Sequence, residues 1–241
     1  MSDKYQKIDG YFTFIEHFLP DIKIENLADE LWKYAEKNLY KIDDRKDEVW
    51  NGLKASIENN MQEVSVRTFG DKGKIQTKEI LEEFYLFVFD GKSIIKIDPS
   101  NNSKATSVLN KFTNYTKNKE HKSKNILQNY QVSHVFGKTL NCYAFTALWN
   151  ILYLPKILDP LTGHESKGAL TQQFTLLLQG YMKKNYRNQI EEFNEIMKKT
   201  FLPKIEEFRG RKDELDKKYG SEMVDKLFDK LNENFSIIPL D

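Results

Sequence analysis

An α+β fold is predicted by three features of the amino-acid sequence. Apolar residues recur at helical spacing near both ends of the chain. Period-two and short apolar runs occupy parts of the middle. Clusters of Gly, Pro, Asp and Asn separate the two patterns. With 241 residues, the chain is long enough for one large domain or two small ones, each burying a substantial core.

Taken in order, Ile24–Leu39 sets Leu27, Leu31, Tyr34, Ala35 and Leu39 at helical spacing, with Asn26 as the cap. Glu48–Met61 reads as a second helix. At Val64 and Val66 the period changes to two, and Gly70-Asp71-Lys72-Gly73 ends that run. Tyr85–Phe89, Asp90-Gly91 and Ser93–Ile97 read as a β-hairpin, because Asp-Gly between two apolar runs is a strong two-residue turn signal. Asp98-Pro99-Ser100-Asn101-Asn102 closes it, and Ala105–Tyr115 reads as a short helix. Two strand-like segments follow, Tyr130–Val135 and Leu148–Leu154, joined by a long loop of roughly residues 137–147. Beyond residue 168 the pattern is helical. Leu170, Phe174, Leu177, Leu178 and Tyr181 share a face, and Ile190, Phe193 and Met197 continue it. Pro203 starts a new helix with Ile205 and Phe208, and Gly220 separates a last one carrying Met223, Leu227 and Leu231. This divides the chain into a mixed α/β lobe (1–103), a basic segment with a strand-rich core (104–168) and a helical region (169–241).

Composition excludes several classes. The chain is 39% hydrophobic and 30% charged, and no apolar run approaches the roughly 18 residues of a membrane span, so no membrane partner is expected. The opening MSDKYQKIDGYFTFIEHFLPDIK mixes charges with aromatics instead of an uninterrupted apolar core, which predicts a cytoplasmic protein. Cys142 is the single cysteine, so there is no intrachain disulfide and no multi-cysteine zinc site; it reads as a buried, inert thiol. Net charge is +1, but unevenly spread. Residues 1–100 hold 15 basic and 20 acidic side chains, whereas residues 101–140 hold seven lysines and one acid, Glu120. Such a local excess is what a phosphate backbone attracts.

Four histidines are present. His17 sits among aromatics and reads as structural, and His121 lies in the lysine-rich loop. His134 differs, because it ends a strand just before a Gly137 turn and is well placed as a rigidly held base. Asn150, inside an apolar run, needs a hydrogen-bonding task. It would tie down the loop after His134 or orient the imidazole. Asp159-Pro160 reads as a helix start, with Asp159 as cap and His164 in the first turns. A carboxylate and an imidazole facing His134 suit magnesium or a transition metal.

Strand, His134, loop, strand, Asn150, helix and His164, in that order over residues 130–168, resemble the ββα-metal core of HNH (His-Me finger) endonucleases. The fold this implies is a ββα-metal finger embedded between the N-terminal lobe and the C-terminal helices. The resemblance implies a metal-dependent endonuclease hydrolysing phosphodiester bonds of DNA, in restriction or anti-phage defence. RNA remains an alternative substrate, as does a nucleic-acid-binding protein with a degenerate finger. By the same resemblance His134 is the general base, Asn150 its support, and Asp159 or His164 the helix ligand to one divalent metal. Mg2+ is expected, with Mn2+ or Zn2+ as alternatives. Ser133 stands where the family often has an acidic ligand, and would act weakly or through water. Lys138, Thr139 and Asn141 in the loop, with Lys122 and Lys124 upstream, are the expected nucleic-acid contacts. Tyr143 would pack under the loop or contact bases, while Phe145 is expected to pack. Paired cuts on duplex DNA make a homodimer plausible.

Overall fold

The computed structural model describes residues 10–18, 21, 26–59, 64–70, 75–92, 95–98, 102–120, 122–163 and 167–240. Helix α1 spans Gly10–Phe18, α2 Leu27–Asn38 and α3 Lys46–Glu58. Strand β1 (Val64–Val66) precedes helix α4 (Ile75–Val88), β2 (Ile95–Ile97) and α5 (Ser103–Phe112). Two short strands, β3 (Tyr115–Thr116) and β4 (Asn125–Ile126), lead into β5 (Tyr130–His134) and β6 (Ile151–Pro155). Helices α6 (Ala169–Asn185), α7 (Arg187–Ile196), α8 (Leu202–Arg209), α9 (Lys212–Tyr219) and α10 (Ser221–Phe235) complete the chain. The α+β class therefore holds, with three two-stranded sheets set among helices in the described residues.

The hairpin expected over Tyr85–Ile97 is not formed. Ile75–Val88 is a helix that buries Thr77, Ile80, Leu81, Phe84, Tyr85 and Val88, the spacing of one helical face. Asp90 (φ 50°) and Gly91 (φ 83°) end it in the left-handed region, and the Gly91 N–H donates to Leu86 O at 2.7 Å. Positive φ at Asp-Gly serves a helix end as well as a hairpin turn. The dipeptide alone cannot tell them apart; the longer apolar period upstream decides. Strand β2 pairs instead with β1, in parallel, Val64 opposite Ile95 and Val66 opposite Ile97.

Pro203 sits in the first turn of α8, as expected, and the chain reaches it without a break from α7. It lacks the N–H that would bond one turn back, and residues Met197–Phe201 widen into a π-helical turn immediately before it. Gly220 (φ 86°) separates α9 from α10 as the sequence suggests. The helix expected to begin at Asp159-Pro160 is replaced by a 3-10 turn, Lys156–Thr162, with Pro160 inside it. Tighter turns tolerate a proline that removes one donor, and the α-helix proper starts ten residues beyond Asp159.

One hydrophobic cluster holds buried side chains from all three segments, from Leu27 through Phe84, Trp149 and Phe193 to Ile238. The β5–β6 hairpin lies within it: all five residues of β6 are buried, and β5 is buried from Val132 to His134. The register places Tyr130 opposite Pro155 and His134 opposite Ile151. No described helix is long and apolar enough to cross a membrane.

Candidate functional site

The residues 135–150 that join β5 to β6 form a long, buried loop; every position from Leu140 to Asn150 is shielded from solvent. A buried irregular loop must find partners for its backbone polar groups. Asn150 meets much of that demand. It is the last loop residue, one short of the strand predicted to contain it, and it is fully buried. Its Oδ1 accepts the Phe136 N–H at 2.9 Å. Its Nδ2 donates to Gly137 O at 2.8 Å and Ala144 O at 2.9 Å. One amide thus laces both limbs of the loop. The Val135 N–H also donates to Asn150 O at 2.8 Å. Gly137 (φ 63°) supplies the left-handed turn that lets the chain fold back over this amide.

His134 ends β5 beneath this loop, and only 3% of it is exposed. Its Nε2 lies 2.9 Å from Phe145 O. A carbonyl only accepts, so Nε2 carries the proton, and the lone pair of the neutral ring lies on Nδ1. The Phe145 ring stacks on the imidazole with centroids 5.2 Å apart and planes 8° from parallel. The loop therefore fixes both the tautomer and the plane of the histidine. Phe145 packs, as expected, and so does Tyr143, buried against Trp50 and Phe201.

Further staples come from residues distant in sequence. Tyr85, fully buried, donates its hydroxyl to Leu140 O and accepts the Cys142 N–H at 3.0 Å; burial raises its phenol well above the ordinary range. Gln179 of α6 donates to Val135 O at 3.1 Å, drawing the helix after the hairpin back onto the loop. Asn234 of α10 accepts the Leu140 N–H at 3.0 Å. These residues carry no local motif; only the fold identifies them. Cys142 is buried beside Tyr85, and burial pushes its thiol up to about 12, as befits an inert thiol.

The expected phosphate contacts divide. Lys138 and Asn141 face inward, which corrects that reading for both. The Lys138 ammonium donates to Glu233 O (3.1 Å), Ser236 O (2.6 Å) and Ser236 Oγ (2.7 Å), because the end of α10 leaves carbonyls that need donors. Asn141, fully buried, donates to Met197 Sδ and Asn234 O and accepts the Tyr143 N–H. Thr139 is half-buried, its carbonyl accepting the Arg67 N–H at 2.9 Å. Lys124 is likewise engaged, donating to Asn110 O and to Thr113 O (2.7 Å) at the end of α5. Lys122 is exposed.

Burial lowers the Lys138 ammonium from 10.5 to about 8. Between those values the unfolded chain binds more protons at this site than the folded one. The contribution of Lys138 to stability therefore rises as pH increases through that window. Urea unfolding at several pH values is expected to show the difference between wild type and Lys138→Met shifting in favour of wild type from about pH 8 to 10.5. A difference that stays flat contradicts this.

Of the expected metal ligands, Ser133 and Asp159 lie among the described residues. Ser133 is buried, and its Oγ has no hydrogen-bond partner among them. Asp159 sits in the 3-10 turn that packs beside β5, its carbonyl accepting the Thr162 hydroxyl at 2.7 Å. His164 lies outside the described residues, as does His121. Among the described residues no three His, Cys, Asp or Glu side chains gather as a metal site. These residues alone do not complete one.

A family profile described as "Uncharacterised protein PM1201" matches residues 42–240, which include the hairpin, its loop and the staples from α4, α6 and α10. A relative described as "Uncharacterized protein PM1201", from Pasteurella multocida (strain Pm70), is 35% identical over 237 residues, covering 96% of this chain and 98% of the relative. No solved structure matches. On this evidence of nearly full-length similarity, the chain belongs to the PM1201 family of uncharacterised proteins.

Proposed function

We propose that the protein is a metal-dependent endonuclease of the HNH type, hydrolysing phosphodiester bonds of DNA with His134 as the base. One observation carries the reading. A strand-end histidine has its tautomer set by a loop carbonyl, and that loop is laced by the asparagine the resemblance requires. A neutral imidazole with Nε2–H held by Phe145 O carries its basic lone pair on Nδ1. Nδ1 takes a proton from water; the resulting hydroxide attacks phosphorus, the P–O bond to the leaving sugar breaks, and that oxygen is protonated from solvent. Asn150 positions the base without touching substrate. A divalent cation, Mg2+ by expectation, belongs to the proposal through Asp159, Ser133 and His164. It would offset charge at the phosphate. Restriction or anti-phage defence, a cytoplasmic setting and a homodimer that cuts both strands are proposed from the resemblance.

A second reading, nucleic-acid binding without cleavage, is favoured by the burial of His134 and by the absence of a metal cluster among the described residues. Supercoiled plasmid incubated with the protein and Mg2+ or Mn2+ separates the two. Nicking or linearisation that EDTA stops is expected. Binding with no nicking favours the second reading, and neither activity removes both.

A further inference from the structure

Ion pairs among the described residues concentrate in the N-terminal helices and in α7 to α10. Lys33, Lys78, Lys198, Lys199, Lys204, Lys212, Lys218 and Lys230 each meet a carboxylate there, mostly three or four residues away. The basic segment holds exposed lysines without such a partner close together in sequence. Lys117, Lys119 and Lys122 are exposed, and no ion pair joins any of them to a described residue. Lys124 and Lys138, by contrast, are engaged with carbonyls and hold the surrounding backbone in shape. The Lys124 ammonium bridges to the end of α5, which fixes the segment carrying Lys117, Lys119 and Lys122. Lys117, Lys119 and Lys122, with Glu120 as the one acid among them, leave this anchored segment a local positive excess that the net charge of +1 conceals.

Half-buried aromatic rings adjoin this segment. Tyr115, two residues before Lys117, stacks on Tyr40 with centroids 3.7 Å apart, and Tyr130 lies 5.5 Å from Tyr40. Tyr130 is also the first residue of β5, whose last residue is His134. Four strand steps place the tyrosine cluster about 13 Å from the histidine along one rigid element. At one phosphate per 3.4 Å on each strand of duplex DNA, that is about four base pairs.

We infer that Lys117, Lys119 and Lys122, backed by the Tyr40–Tyr115–Tyr130 cluster, form a docking edge for the phosphate backbone of duplex DNA, about four base pairs from the phosphate that meets His134. This rests on the nuclease reading for the place of His134. The choice of a polyphosphate partner rests on the local lysine excess itself, seven lysines against one acid over residues 101–140. Counterion release makes such binding salt-dependent, with a slope of about −0.9 in log K against log salt for each phosphate neutralised.

The test is fluorescence anisotropy of a labelled 30-base-pair duplex with the full chain in EDTA, across a salt series. The variant Lys117→Gln/Lys119→Gln/Lys122→Gln is expected to flatten the slope by about 2.7 and to weaken binding on the order of 100-fold near 0.1 M salt. The control Lys198→Gln/Lys199→Gln removes two lysines that already have carboxylate partners and is expected to leave the slope unchanged. All sites are exposed, and thermal melts check that the variants fold. An unchanged slope in the triple variant, an equal loss in the control, or no duplex binding by the unmodified chain overturns the inference. Plasmid cleavage together with lysine-independent binding removes the docking edge and leaves the nuclease reading standing. Lysine-dependent binding without cleavage does the reverse.

Discussion

Replacing His134 by alanine or glutamine is expected to lower metal-stimulated plasmid cleavage by about 10^2- to 10^4-fold, the range a positioned general base supplies. Glutamine is the sharper variant. Its side-chain amide can still donate toward Phe145 O, so the loop keeps its anchor while the basic lone pair is lost. The two variants separate chemistry from packing. If alanine abolishes cleavage and glutamine restores it, the ring serves only the fold. If neither changes the rate, His134 is not the base. Melting temperatures measured beside the rates show whether the loss on alanine follows from unfolding, which the 8° stacking on Phe145 makes a real contribution.

The second large effect is on stability. Asn150→Ala strands the part-buried Phe136 N–H and Gly137 O and the fully buried Ala144 O. Each stranded group costs about 1–3 kcal/mol, so a total loss of about 3–5 kcal/mol is expected, at the upper end for a single substitution. Urea unfolding at neutral pH measures it. Asn150→Asp keeps an acceptor for the Phe136 N–H but turns a carboxylate oxygen toward two carbonyls, so it should also destabilise. A loss under about 1 kcal/mol for alanine would falsify the lacing of the loop by this amide.

What the sequence reveals follows the range of the interactions involved. Helices α2, α3, α5 and those after residue 168 are legible because their buried faces repeat over several turns, a signal that survives local noise. The 75–97 segment misleads because Asp90-Gly91 supplies positive φ, which two different structures use. The choice between them depends on Ile80 and Phe84 upstream. His134 and Asn150 stand out because a polar group in an apolar run must be satisfied, and both are. The inward orientation of Lys138 and Asn141 is invisible locally. Their partners, Ser236 and Asn234, are set by tertiary packing, and nothing in the stretch Gly137–Asn141 announces them.

The contacts between residues 138–141 and the end of α10 close spans of 93 to 98 residues. Helical turns and the β5–β6 hairpin close spans far shorter and can form early, whereas contacts so distant along the chain are made late. A folding chain therefore carries His134 beneath a loop held by Asn150, Tyr85 and Gln179 until α10 docks. The loop reaches its final form only when the chain has closed on itself, so partly folded molecules hold the proposed base without its final surroundings.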